Sequence, residues 1–286
     1  MRRLERFRNL NPVIRITFFC IILIIGWLPF SLPLYWLAQT GRMALGGAIA
    51  TGLLYVGFLI LWPWWSNQIH QLTTPWQALG LSRRLSFFND SLKGFGLGLG
   101  CVALLALMQI MAGWSIFHPP LHLMPLIIEG IIVGVLVGIA EELFFRGWLL
   151  YELEHGYSCS QALWINALLF AALHFIKPVP AILETLPQFF GLSLLGLLLV
   201  WARRSKSEGN SSASLGWPMG IHSGLVSGYY LVSVGSILEV TGNVPSWVTG
   251  IEQNPLAGLL GIGILTFIAF IFRIKAQGYY PLKHLA

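Results

Sequence analysis

The chain has 286 residues, of which 56% are hydrophobic and 10% are charged. Soluble domains carry about 25% charged residues, so this composition excludes an ordinary soluble protein and indicates an integral membrane protein with several spans. The net charge of +6 does not indicate nucleic-acid binding, because the basic residues are dispersed among the loops rather than gathered in one patch. The expected partner is the lipid bilayer.

Apolar stretches that are long enough, or nearly long enough, to cross a bilayer recur along the chain, at about 20 residues for each crossing. They cover residues 13–37, 43–63, 94–116, 124–149, 160–176, 183–202, 215–237 and 255–273. The sequence therefore predicts an all-α fold, a polytopic transmembrane helix bundle of about eight spans.

The distribution of lysine and arginine predicts the orientation of these spans. With the N-terminus inside, fifteen basic residues fall on the cytoplasmic side, and only Arg42 and Lys177 fall outside. Such a bias is the usual signature of cytoplasmic loops. We therefore expect both termini in the cytoplasm and a multi-pass protein of the cell membrane.

The sequence that links the second and third stretches, residues 62–93, is too polar to cross the bilayer. Its tryptophans suit the headgroup region, so we expect an interfacial segment on the cytoplasmic surface. On this interpretation, residues 1–120 form an N-terminal region of transmembrane helices with that loop. Residues 121–286 form a core that ends in the C-terminal span.

Many of the 31 glycines recur at four-residue intervals. This small-xxx-small spacing lets membrane helices pack backbone to backbone, so we expect close contacts between the helices that carry it. The pairs and triplets are Gly94/Gly98, Gly96/Gly100, Gly130/Gly134/Gly138 and Gly220/Gly224/Gly228.

The fourth stretch carries ionisable side chains where charge is costly, which in membrane proteins marks a functional site. Glu142 and Arg146 are four residues apart, on one helix face, and are expected to form an ion pair. Glu141 points about 100° away and is left to face another partner. The alternative is a salt-bridged helix end near the cytoplasmic surface.

His174 is the residue that we expect opposite Glu141. The fourth and fifth stretches form a predicted hairpin that turns near Tyr157, and the two side chains lie roughly 24 Å along the helices on either side of it. A carboxylate beside an imidazole can hold and deprotonate a water, and His222 from another span can donate to the oxyanion that follows. The alternative for each histidine is a packed, hydrogen-bonded side chain. Glu141, His174 and His222 are also an acceptable zinc set, so the residues alone leave a metal site open.

Other hydrolytic and nucleotide-binding motifs are missing from the sequence. The chain has a single aspartate, Asp90, whereas an aspartyl intramembrane protease needs two. No HExxH, GxSxG, GxxxxGK[ST] or GxGxxG sequence occurs. The cysteines at positions 20, 101 and 159 are far apart and predict neither a disulfide framework nor a zinc site.

Three motifs resemble those of the CAAX-protease and bacteriocin-processing (CPBP) intramembrane proteases, also called the Abi or type II CAAX prenyl endopeptidase family. "EELFFR", residues 141–146, matches EExxxR; "FAALH", residues 170–174, matches FxxxH; and "GIHSGL", residues 220–225, resembles the third motif. The similarity covers roughly residues 120–235, in the family's order.

The resemblance implies a role for each matched residue. Glu141 is similar to the water-activating glutamate, His174 to its partner on the water and His222 to an oxyanion donor. Glu142 and Arg146 are similar to the supporting pair of the first motif. The resemblance implies a metal-independent, glutamate-dependent mechanism without a cofactor, with zinc as the alternative.

The third motif departs from the family pattern, which usually has Asn or Asp four residues after the histidine. Here that residue is Val226, which cannot donate a hydrogen bond. Tyr229, two turns after His222, is one candidate for the missing donor. Asn254 is another, although an asparagine before Pro255 is also typical of a helix cap.

The sequence thus predicts an intramembrane endopeptidase that acts on a membrane-associated peptide or protein, lipidated or not. The first alternative is a non-catalytic, immunity-like member of the same family that binds a peptide, as the Val226 departure would favour. The second is a proton-coupled transporter, although the chain has no inverted repeat of the kind that carriers show.

Overall fold

The computed structural model describes residues 7, 10–205, 213–250, 254 and 257–278. This part of the chain is predominantly helical, as predicted, and its helices and strands are bounded as follows. The helices are α1 Pro12–Gln39, α2 Gly46–His70, α3 Pro75–Ala78, α4 Leu85–Met111, α5 Leu123–Glu142, α6 Leu150–Glu154, α7 Cys159–Leu173, α8 Val179–Thr185, α9 Gln188–Arg204, α10 Gly216–Ser233, α11 Ser246–Thr249 and α12 Leu259–Lys275. A π-helical segment, Leu143–Leu149, joins α5 to α6, and the strands β1 Ser115–Phe117 and β2 Leu238–Val240 pair antiparallel.

Four helices in this part of the chain are long and apolar enough to cross a membrane: α1, α2, α4 and the continuous helix Leu123–Glu154. The pair α8 and α9, bent by 73°, is a fifth if it forms one span. The predicted stretches 160–176, 215–237 and 255–273 correspond to α7, α10 and α12, which have 15, 18 and 17 residues. The protein is therefore a multi-pass membrane protein, in which several helices are short for a complete crossing.

Several helix boundaries differ from those expected from hydropathy. α2 continues to His70 through the polar sequence that was predicted to be interfacial, and α4 begins at Leu85. The connection between them is thereby reduced to residues 71–84, which include α3. Ser66 and His70 are buried against neighbouring side chains, so the helix is stabilised by packing that a hydropathy pattern does not report.

Proline accounts for the break in the predicted span 183–202. Pro187 stands between α8 and α9, where it cannot donate a backbone hydrogen bond to a continuous helix. The chain bends there, and α9 begins at Gln188.

The described residues form two compact units. The first comprises the chain up to Ala78 together with residues 155–157. Its α1 and α2 pack through aromatic rings, with Phe19 5.4 Å from Trp65 and 6.0 Å from Phe58 between ring centroids. Trp27 Nε1 donates to the carbonyl of Ala50 at 2.7 Å, which ties the two helices together.

In the second unit, residues 79–154 and 158–286, α10 packs against α4 and against α5. Glycines permit the close approach: a Cβ on Gly94 would lie 2.8 Å from the carbonyl oxygen of Trp217, and one on Gly138 would lie 2.8 Å from the backbone nitrogen of Ser223. The predicted glycine contacts are present there, whereas a Cβ on Gly96 or Gly100 would meet nothing within 4 Å. This packing places the end of α5 beside α10.

Two further contacts hold the hairpin from α6 to α7 and its neighbour α9. Arg204 at the end of α9 donates to the Glu154 carboxylate at 2.8 Å and to the carbonyl of Cys159 at 2.9 Å. α7 begins after a capping box formed by Ser158 and Gln161. α7 therefore returns along the helix that carries Glu141 and Glu142.

Candidate active site

Glu141 and Glu142 end α5, immediately before the π-helical segment. Arg146 lies in that segment, and its Nη1 donates to Glu142 Oε1 at 2.8 Å, with both side chains fully buried. Short π-helical segments are frequent at functional sites, because their wider turns re-aim side chains. The ion pair predicted from the sequence is present, and both of its side chains are buried.

Arg146 has further partners on neighbouring helices. Its Nη2 donates to the carbonyl of Gly196 in α9 at 3.3 Å. Its guanidinium lies 4.3 Å from the ring centroid of Phe170 in α7, within the range of a cation–π contact. Arg146 thus connects the helix of the two glutamates to α7 and α9.

His222 on α10 forms a contact that the sequence did not indicate. Its Nδ1 lies 2.8 Å from Glu142 Oε1, the same oxygen that accepts from Arg146. Because that carboxylate oxygen accepts, Nδ1 carries a proton, and Nε2 faces away from Glu142. Glu142 therefore orients His222 in addition to pairing with Arg146.

His174 is oriented in the same manner by a backbone carbonyl. It follows the last residue of α7, and its Nδ1 lies 2.7 Å from the carbonyl oxygen of Phe170. A carbonyl can only accept, so Nδ1 is the protonated nitrogen and Nε2 is available to a second partner.

Glu141 lies between the two histidines. Its Oε2 is 3.8 Å from His174 Nε2 and 3.8 Å from His222 Nε2. The side chains of Glu141 and His174 are 30% and 34% exposed, whereas that of His222 is 5% exposed. The site is therefore open on the side of Glu141 and His174 and closed behind His222.

Separations of 3.8 Å are too long for direct hydrogen bonds. They leave room for a small donor that contacts both groups, and a water at about 2.8 Å from each is geometrically allowed. Glu141 Oε2 is buried and has no hydrogen-bond partner among the described residues. The arrangement can thus hold a water next to a carboxylate and two imidazoles.

Phe170 and Asn166 contribute to the site, although neither was a candidate from the sequence. The Phe170 ring lies 4.6 Å from the His174 ring and 6.0 Å from the His222 ring, between centroids. Asn166 Nδ2 donates to the carbonyl of Phe145 at 2.7 Å. Phe170 is the first residue of the FxxxH match, which was the available signal for it; no pattern singled out Asn166.

Two residues, Tyr229 and Asn254, are the candidates for the missing oxyanion donor. Tyr229 lines a cavity with residues of α4, such as Leu105 and Gln109, two turns along α10 from His222. The carbonyl of Asn254 accepts from the backbone of Ala257 in a turn ahead of α12, which begins at Leu259 rather than beside Asn254. Val226 is half-buried on α10.

The zinc alternative involves the same three side chains, Glu141, His174 and His222. Among the residues that the structure describes, no three His, Cys, Asp or Glu side chains form a group that could hold a metal ion. The steps proposed below use only the side chains of Glu141, His174 and His222 and pass through no metal.

Residues 123–227 match the family described as "Type II CAAX prenyl endopeptidase Rce1-like". The matched segment begins with α5 and ends within α10, so it contains the glutamates, the arginine and both histidines described above. Comparisons with curated proteins and with solved structures found no match. The family match agrees with the resemblance predicted from the three motifs and supports membership in the CPBP family of CAAX-type proteases over the segment that contains them.

Proposed function

We propose that the chain is an intramembrane endopeptidase in which Glu141 and His174 activate a water and His222 stabilises the oxyanion. The family is a family of proteases, which supports a peptidase at that level. The observation that carries the proposal is the position of Glu141 Oε2, 3.8 Å from the Nε2 atoms of both histidines.

The first step is attack by water. A water between Glu141 and His174 donates one hydrogen to the carboxylate and the other to His174 Nε2, since both groups accept. Glu141 removes its proton as the water oxygen bonds to the carbonyl carbon of the substrate. A general base in this position contributes typically 10²–10⁴-fold to the rate, roughly.

The second step is collapse of the tetrahedral intermediate. The carbon–nitrogen bond breaks, and Glu141 returns its proton to the leaving amine. One water is consumed and a carboxylic acid and an amine are released, which exchange a proton in water to give a carboxylate and an ammonium. Glu141 is free of a direct ion pair with Arg146, because Arg146 donates to Glu142 instead. That division leaves the Glu141 carboxylate available to the water.

His222 donates to the oxyanion through Nε2. This role requires protons on both ring nitrogens, since Nδ1 already faces Glu142 at 2.8 Å. The Glu142 carboxylate stabilises the resulting imidazolium, and burial of His222 keeps water from competing for its N–H. Glu142 and Arg146 are thus positioning residues, which act through His222 and through the helix geometry.

Val226 leaves the oxyanion with one side-chain donor from α10 where the family usually provides two. Tyr229 and Asn254 stay the candidates for a second donor, and the proposed steps assign a role to neither. Val226 also supports a second candidate function, a non-catalytic family member that binds a peptide and does not cleave it.

The proposed substrate is a membrane-associated peptide or protein, lipidated or not, that reaches the open side of Glu141 and His174. We further propose that residues 121–286 form the protease core and that eight spans cross the cell membrane, with both termini in the cytoplasm. Some of the basic residues on which this orientation depends lie outside the described residues: Arg2, Arg3, Arg6, Arg8, Lys206 and Lys283. No cofactor is proposed.

The test is cleavage of a panel of quenched membrane peptides by purified protein in detergent. Glu141→Gln is compared with Glu129→Gln, which changes an exposed carboxylate three turns earlier on α5. We expect cleavage by the wild type and by Glu129→Gln and its loss in Glu141→Gln. Binding of the peptides without cleavage by any of the proteins would favour the non-catalytic function.

A further inference from the structure

Asn166 joins two elements of the site by one buried hydrogen bond. Its side chain is fully buried in the middle of α7, and Nδ2 donates to the carbonyl of Phe145 at 2.7 Å. Phe145 lies in the π-helical segment, and its carbonyl also accepts from the backbone of Leu150. The amide therefore connects the helix of His174 to the segment that follows Glu141.

One side of α7 carries three residues of the site at four-residue intervals: Asn166, Phe170 and, directly after the helix, His174. Asn166 contacts the carbonyl of Phe145, and Phe170 lies 5.1 Å from the Phe145 ring between centroids. His174, the last of the three, faces Glu141 at 3.8 Å. The two helices thus run antiparallel, with the hydrogen bond at one end of the contact and the reacting pair at the other.

The hydrogen bond from Asn166 differs from the ring contacts beside it, because it forms only within a narrow range of distances and angles. Ring contacts between Phe170 and Phe145 tolerate sliding, whereas a hydrogen bond weakens steeply with distance and angle. No water competes for it, since the amide is buried. It is therefore the contact that best fixes the register of α7 against the π-helical segment.

The side-chain oxygen of Asn166 indicates that the residue serves to position α7 rather than to stabilise the fold. Asn166 Oδ1 is buried and has no hydrogen-bond partner among the described residues. An unsatisfied buried acceptor is unfavourable, and a leucine of similar shape would fill the same space without one. The amide is thus poorly explained by its contribution to folding.

We propose that Asn166 is a positioning residue, which sets the separation between His174 Nε2 and Glu141 Oε2 by clamping α7 to the π-helical segment. The inference rests on the proposed function. A slip of one residue along a helix moves a side chain by about 1.5 Å, enough to prevent one water from contacting both groups.

The first test is the kinetics of Asn166→Leu. We expect kcat to fall about 10²-fold, as for a small misplacement of reacting groups, with KM within about twofold of wild type. Thr249→Val, which changes another buried polar side chain at a distance from the site, is the control and keeps kcat. If the leucine variant does not fold, Asn166→Asp has the same shape and lacks the donor. Wild-type kcat, or a loss explained entirely by a smaller folded fraction, overturns the inference.

The second test needs no catalytic activity. Glu141→Cys and His174→Cys are combined in a chain whose three native cysteines are replaced by serine, and a short thiol-specific cross-linker joins the pair. We expect Asn166→Leu to slow this cross-link several-fold, and Thr249→Val to leave it unchanged. An unchanged rate overturns the inference. A slower cross-link in a protein whose wild type cleaves nothing would reject the proposed function and retain the role of Asn166 in placing His174.

Discussion

One oxygen of the Glu142 carboxylate, Oε1, accepts hydrogen bonds from both Arg146 and His222, each at 2.8 Å. All three side chains are buried. A buried charge that loses its partner is strongly unfavourable, so this carboxylate serves both the fold and the orientation of His222.

We expect Glu142→Gln to lower both stability and turnover. Arg146 would be left without a carboxylate, at a cost of about 3–5 kcal/mol, and His222 would lose the anion that stabilises its charged form. The measurements are thermal unfolding in detergent and kcat per folded molecule. The control is Glu154→Gln, which also removes the carboxylate from a buried arginine, Arg204, and is expected to lower Tm only. Equal kcat in the two variants would contradict the role of Glu142 in orienting His222.

Val226 offers a gain-of-function experiment. An asparagine four residues after His222 would restore the donor that the family usually has, and one such donor contributes about 10²–10³-fold to kcat in other hydrolases. We expect Val226→Asn to raise kcat, whereas Leu225→Asn, its half-buried neighbour on another face of α10, has no such effect. Unchanged or reduced turnover in Val226→Asn would indicate that the oxyanion lies elsewhere.

The hairpin formed by the fourth and fifth stretches could be predicted from the sequence, because the fixed rise per residue of an α-helix gives the depth of each side chain. The structure brings Glu141 and His174 together as that estimate suggested. The π-helical segment Leu143–Leu149 was not readable, since nothing in its residues departs from an ordinary helical pattern. The contact of Glu142 with His222 depends on how α10 packs against α5, which one sequence does not specify.

Close packing between α5 and α10 can be tested at a single glycine. Gly138→Leu would place side-chain atoms against the backbone of Ser223, and we expect a loss of about 1–3 kcal/mol of stability together with activity. Gly96→Leu is the control, because its Cβ would meet nothing within 4 Å. Thermal unfolding and cleavage rates are compared. Similar effects of the two substitutions would contradict the importance of this contact.

For the whole molecule, composition and hydropathy predicted a multi-pass helical membrane protein, and the structure agrees. The number of crossings was harder to predict, because α7, α9 and α12 have only 15, 17 and 17 residues. Hydropathy reports apolar length and does not report bends, such as the one at Pro187, or helices that continue into polar sequence, such as α2.

The proposed orientation makes opposite predictions for two basic residues. In a chain without native cysteines, Arg42→Cys is expected to react with a membrane-impermeant thiol reagent in intact cells. Arg83→Cys is expected to react only after the membrane is permeabilised, since its loop is assigned to the cytoplasm. The reverse labelling pattern would contradict the proposed orientation.

We propose that Glu141 activates water without a metal. The most direct measurement is the initial rate of peptide cleavage by wild type, Glu129→Gln and Glu141→Gln, each with and without a chelator. We expect the first two to cleave in both conditions and Glu141→Gln to be slower by about 10²–10⁴-fold. Wild-type cleavage that disappears on chelation and returns with zinc, or a Glu141→Gln variant that cleaves at the wild-type rate, would contradict the mechanism.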